Sequence, residues 1–217
     1  TRSSVTSTSR QTTSSPTTTG APEATLEMSK EDGGVVGNGA RATAYAPISI
    51  ENTGAARSGY VSLTIDWFDD AGDYLGSSRN QLRSLGRGDT WAARVHALAF
   101  EAAKIASYEV TLDYQSRFER PPVGLTVTDS ELLSGEAVKV RGAIENGSGE
   151  YVSYLEFVAQ LRDADGTVLG DAWANETGVE PGEQLEFAPR WFGQERNEAA
   201  ATHEAYVSIQ NPFEISF

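Results

Sequence analysis

The feature that most constrains this chain is an internal repeat. Segment 48–91 aligns with 142–185 without a gap, each residue matching the one 94 positions later. Identities fall at Ile50/Ile144, Glu51/Glu145, Asn52/Asn146, Tyr60/Tyr154, Asp69/Asp163, Gly72/Gly166, Leu75/Leu169, Gly76/Gly170 and Gly88/Gly182. Ordinary residue frequencies give roughly three matches over such a length. Three of the nine are Gly and two are Asn or Asp, the residues that demanding backbone geometry selects. The apolar pattern repeats too. Val61, Leu63, Ile65 and Trp67 alternate in one half, and Leu155, Phe157, Ala159 and Leu161 take the same phase in the other. Alternation at period two means a strand with one side buried.

Each half therefore reads as a series of antiparallel strands. A first strand, Ala44–Ile50 or Val138–Ile144, stops at Glu-Asn and a small-residue turn. A long strand, Tyr60–Phe68 or Tyr154–Arg162, turns over at Asp-Asp-Ala-Gly (69–72) or Asp-Ala-Asp-Gly (163–166). A short return strand passes through Leu75 or Leu169, and a turn at Gly88 or Gly182 leads to Trp91–Val95 or Leu185–Phe187. The last strands, Tyr108–Tyr114 and Ala205–Ile209, align if three extra residues are allowed in the second copy. Ala/Glu-rich stretches before them, Phe100–Ser107 and Glu195–Thr202, predict one or two helical turns. The fold class expected is all-β: two tandem immunoglobulin-like antiparallel β-sandwiches over 24–117 and 124–217, each with a short helical turn before its last strand. The linker, 118–123, contains Arg120-Pro121-Pro122, which favours an extended, stiff connection.

Ile65-Asp-Trp-Phe-Asp69, preceded by Glu51-Asn-Thr-Gly54 and followed by Gly72 and Gly88, resembles the FxLYD domain, a small extracytoplasmic β-sandwich module. The second copy, Ala159-Gln-Leu-Arg-Asp163, departs at two aromatic positions but keeps the Asp, Gly166 and Pro181-Gly182. The resemblance spans about 90 residues in each half. It implies fold and location, and it carries no catalytic residue to this chain.

Residues 1–23 are expected to be a disordered tether. Fourteen of the first 19 are Ser or Thr, and Val5 is the sole large apolar side chain before Leu26, so the segment cannot offset its ordering entropy by burial. Such a tether before a folded domain resembles the start of a mature haloarchaeal lipoprotein, with a lipidated Cys lying upstream of Thr1. The charge points to the same source. The net charge is −14, and after the first 22 residues 31 acids face 15 bases, or −16. Of 17 basic residues, 14 are Arg. This balance repels nucleic-acid phosphates and anionic lipid, so neither is expected as a partner. It also repels itself, and salt at ~1 M, with a Debye length of ~3 Å, screens that repulsion. No apolar run approaches the ~18 residues a membrane span needs.

The candidate site residues are few. There is no Cys, and His96 and His203 lie in different repeats with no nucleophile motif beside them, so no catalytic residue, cofactor or metal ligand is assigned and no enzyme is expected. Asp163-Ala-Asp165-Gly166 looks like the start of a calcium loop, but its twelfth position is Ala174 where a bidentate Glu belongs. A tight turn accounts for it better. The sequons Asn146-Gly-Ser148 and Asn175-Glu-Thr177 are compatible with export and N-glycosylation. Trp67 and Trp91 lie on apolar phases and read as core. Trp173 and the pair Trp191-Phe192 fall in predicted loops or strand ends, where they form either a contact patch or a cap on the second sandwich. The chain ends with Phe213, Ile215 and Phe217 in strict alternation. That pattern suits a fold-back edge strand or a strand exchanged with a neighbouring subunit.

The function expected is a non-catalytic extracytoplasmic surface protein of a halophile, secreted or lipid-anchored, presenting two sandwiches to a protein or glycan. The alternative is a subunit of an extracellular filament, sheath or virion that self-assembles through its C-terminal segment.

Overall fold

The computed structural model describes residues 6–11, 22–37, 42–97, 102–116, 124–133, 138–191 and 199–209, with side chains described from residue 22 onward. The chain is all-β and divides into two compact units, one over Thr1–Arg117 and one beginning at Phe118.

In the first unit β2 (Leu26–Lys30), β3 (Gly34–Val36) and β7 (Thr90–His96) all pair antiparallel to β4 (Thr43–Asn52). A second sheet has the order β1-β8-β5-β6, from β5 (Val61–Phe68), β6 (Tyr74–Leu82), β8 (Ser107–Tyr114) and β1 (Thr6–Gln11). The alternation read from the sequence is the burial pattern observed. Val61, Leu63, Ile65 and Trp67 are fully buried, and Ile50 and Trp91 join them from the other sheet. Burying each such side chain contributes about 1.5–3 kcal/mol. The hydroxyl of Tyr108, on β8, donates to the Glu31 carbonyl at the end of β2, so the sheets are tied by a polar bond as well.

The second unit repeats the plan. One sheet has the order β13-β10-β9, from β9 (Leu125–Leu133), β10 (Lys139–Asn146) and β13 (Gln184–Phe187). The other has the order β12-β11-β14, from β11 (Val152–Arg162), β12 (Val168–Val179) and β14 (Thr202–Ile209). Val140 and Ile144 from the first sheet share one apolar core with Leu155, Phe157 and Leu161 from the second. Phe157 stacks on Phe187 with ring centroids 5.7 Å apart and planes 5° off parallel. Gly142 makes room for that pair, because a Cβ there would sit 2.2 Å from the Phe157 ring.

Several details differ from the sequence expectation. Within the stretch expected to be a disordered tether, Thr6–Gln11 is a strand that runs parallel to Ser107–Leu112 along the edge of β8. An open sheet edge presents unpaired backbone groups, and a Ser/Thr segment can pair with them without apolar side chains of its own. The return strands are long, nine residues in β6 and twelve in β12. The last strands match with one extra residue in the second copy, not three: Trp67 faces Tyr108, and Leu161 faces His203. Of the helical turns, a 3-10 turn occupies Ala102–Lys104. Its expected counterpart lies outside the described residues through 198, and 199–202 are not helical. The terminal residues Phe213, Ile215 and Phe217 also lie outside the described residues.

Candidate functional site

The residues shared by the two copies are the natural place to seek a site; Asn52/Asn146 and Asp69/Asp163 spend their side chains on backbone, whereas the Tyr60 and Tyr154 hydroxyls donate to side chains and Glu51 and Glu145 are exposed. Asn52 and Asn146 are both fully buried. Asn52 Nδ2 donates to the carbonyls of Ala56 at 2.8 Å and Leu85 at 3.0 Å, and its Oδ1 accepts from the Gly54 amide at 3.1 Å. Asn146 makes the same bonds 94 residues later, to Glu150 at 2.9 Å, Val179 at 3.3 Å and the Ser148 amide at 3.2 Å, and adds Glu180 at 3.1 Å. Each Asn pins two stretches of chain to its own strand, the second leading into a turn whose Gly88 or Gly182 amide donates back to the Asn carbonyl. Beside the first, burial pulls the Arg57 guanidinium below its ordinary pKa and the Asp89 carboxylate acts in the other direction.

This disposes of one sequon. An amide nitrogen that is fully buried and donates to three carbonyls is not available to carry a glycan in the folded protein. Asn146 is a structural plug. The other sequon is placed differently, for Asn175 and Thr177 are both exposed on β12.

The acidic hairpins are duplicated just as closely. Asp69 Oδ1 accepts the amides of Ala71 at 3.0 Å and Asp73 at 2.8 Å; Asp163 Oδ1 accepts those of Asp165 and Thr167 at the same distances. Gly72 and Gly166 close these turns at φ of 84° and 83°, a conformation open to glycine at little cost. Just beyond, Leu75-Gly76 and Leu169-Gly170 form bulges, with the register slipping opposite Trp67/Phe68 and Leu161/Arg162. These Asp oxygens are turn acceptors, and no group of three or more metal-binding side chains occurs among the described residues. His96 and His203 sit on β7 and β14 in separate units.

Trp191 takes the second of its two expected places, packed into the sandwich. Trp191 is 5% exposed and belongs to the second core. Beyond β13 its amide donates to the Val138 carbonyl, and Arg190 bridges to Lys139, so the chain keeps pairing past Pro189. Phe192 lies outside the described residues. Trp173 stands apart, 62% exposed in the middle of β12. Ala172 and Ala174 on either side of it pack against the core, so the indole points away from it.

The pairing of β12 with β11 and of β11 with β14 sets up rows on that outer face: Asp171–Gln160–Glu204, Trp173–Val158–Tyr206 and Asn175–Glu156–Ser208. Glu156 accepts from the Tyr154 hydroxyl at 2.8 Å, and Gln160 from Arg162 at 2.6 Å. Glu156, Val158, Gln160 and Ser208 in these rows are themselves buried, at 7%, 4%, 2% and 0% exposure, so solvent reaches the β12 edge with Trp173 and Asn175 and, on β14, Glu204. An exposed indole on a strand edge suits contact with a sugar ring or a peptide. Sequence reasoning did not single out Tyr74 and Tyr151, exposed by 60% and 59%. Their positions beside turns, off the alternating phase, were the available signal.

No protein-family model matches the chain, and no curated protein matches it. Among solved structures, a red sea bream transglutaminase aligns with 77% of this chain at 9% identity and a TM-score of 0.27. The chain spans 29% of that enzyme's length. The CBM22-1–CBM22-2 tandem of Paenibacillus barcinonensis Xyn10C aligns with 88% of this chain and 86% of its own at 12% identity, with a TM-score of 0.13.

Proposed function

We propose that this protein is a non-catalytic, extracytoplasmic surface protein of a halophile, built from two immunoglobulin-like sandwiches of the FxLYD kind that serve protein or glycan contact. One observation carries the reading. Two of the four polar pairs shared by the copies, Asn52/Asn146 and Asp69/Asp163, are consumed in holding backbone. What duplication kept is a scaffold. The contact surface is the exposed edge strand β12 around Trp173, where the copies differ: the matching position in the first unit is Arg79. The acidic, Arg-rich composition supports the halophilic setting.

The test is protease treatment of intact cells that make the protein, with an antibody to the second unit as readout. Digestion without lysis is expected. Protection until lysis refutes the location, and turnover of a substrate that disappears on changing a single side chain refutes the absence of chemistry.

A further inference from the structure

The chain carries two sequons, and the fold separates them. Asn146 is locked in the core by its own amide. Asn175 is exposed on β12, an edge strand of its sheet, and among the described residues nothing hydrogen-bonds its side chain. Two residues earlier on the same strand stands Trp173, 62% exposed. Residues two apart on a strand project to one side about 6.8 Å from each other. Thr177, whose hydroxyl completes the sequon, follows in the same phase and is exposed as well.

We propose that Asn175 is the N-glycosylation site of this chain and that the Trp173 indole is the platform on which the linking sugar lies. The inference rests on the extracytoplasmic reading above, since the sugar donor, an oligosaccharide carried on a polyprenyl phosphate or pyrophosphate, and its transferase act outside the cytosol. Asn175 Nδ2 forms a bond to the anomeric carbon as the bond from that carbon to the donor's phosphate oxygen breaks. The phosphate leaves with the electron pair, and the amide proton passes to solvent through the transferase's base. The attached pyranose then has an apolar ring face and, beside it, an indole that otherwise faces water. Covering that indole removes apolar surface from solvent and fixes the sugar's direction along the strand. The first unit has no such arrangement. Gln81 and Arg79 occupy the matching positions.

The full chain is secreted from a host that N-glycosylates, and the folded, secreted fraction is digested and read by mass spectrometry. Occupancy at Asn175, none at Asn146, and loss of the glycan in T177A with retention in T177S are expected. Trp67, Trp91 and Trp191 are buried, so fluorescence quenching by acrylamide reads Trp173 alone. The quenchable fraction is expected to fall on glycosylation and to return in N175Q. An empty Asn175 or an occupied Asn146 in the folded fraction overturns the acceptor assignment. Unchanged quenching overturns the platform, as does equal protection of N175Q by free oligosaccharide, which marks a binding site for unattached sugar. Forced secretion supplies the transferase wherever the native chain resides. An empty site here leaves the location reading standing, and cell-surface proteolysis tests that reading separately.

Discussion

Replacing either buried Asn by Ala is the sharpest test of how the fold is held. In Asn52→Ala the Leu85 carbonyl, whose bond is wholly buried, loses its partner, as do the part-buried Ala56 carbonyl and Gly54 amide. A stranded buried group costs about 1–3 kcal/mol, and groups that water reaches cost less. Taking about 2 kcal/mol for the first and about 0.5 kcal/mol for each of the others gives about 3 kcal/mol. Asn146→Ala should cost at least as much, since one further carbonyl, that of Glu180, is stranded. For a unit of this size such a loss lowers the melting temperature by roughly 12–24 °C and the urea midpoint by about 1.5 M at a slope near 2 kcal/mol/M. Urea titration followed by fluorescence and circular dichroism measures it, with Asn175→Ala as an exposed control expected within about 0.5 kcal/mol of wild type. If the two units unfold separately, each substitution shifts its own transition. Both plug variants lying within about 0.5 kcal/mol of wild type would refute the reasoning. Asn146→Asp adds a pH signature. Burial and the facing carbonyls raise the introduced carboxyl's pKa in the folded state, so the deficit against wild type grows as pH rises from about 4 through that raised value.

Gly142→Ala should destabilise the second unit by about 1–3 kcal/mol and change near-UV dichroism, because the new methyl displaces Phe157 from its stack on Phe187; an unchanged midpoint contradicts this packing. Asp163→Ala should lose about 1–2 kcal/mol, whereas Asp163→Asn, which keeps an oxygen to accept the two amides, should lose little. Calcium added in the millimolar range and raising the wild-type but not the Asn variant's melting temperature would reverse that assignment. Salt provides a global check: raising KCl from about 0.1 to 1 M shortens the Debye length from ~10 to ~3 Å, and the melting temperature should climb. A flat response would detach the acidic surface from any halophilic role.

Much of the scaffold was legible because period-two alternation and turn residues are local signals. The long strand of each half and the Asp-Gly hairpins lie where those signals put them. Alternation fixes which side of a strand is buried but not its register in steps of two, and that explains why the final strands match with one extra residue where three were expected. Insertions of one and of three residues leave the same side chains inward, so the pattern alone cannot separate them. The sequence left Trp191 open between patch and cap because Pro189, which cannot donate to a ladder, hides that the chain continues pairing around it. The Asn146 sequon could have been discounted from the repeat itself. Its counterpart Asn52 is followed by Thr53-Gly54, with no hydroxyl at the sequon position, yet the Asn is retained. A residue kept where the modification signal is missing must serve another end.

The parallel strand β1 on the flank of β8 ties the Ser/Thr leader to the first unit. A pull applied at Thr1 therefore meets a row of main-chain bonds loaded along the strand axis, in shear, before it reaches the core. A leader fastened this way transmits tension as a strap does, and stretching single molecules from the amino terminus would register its detachment as a separate early event.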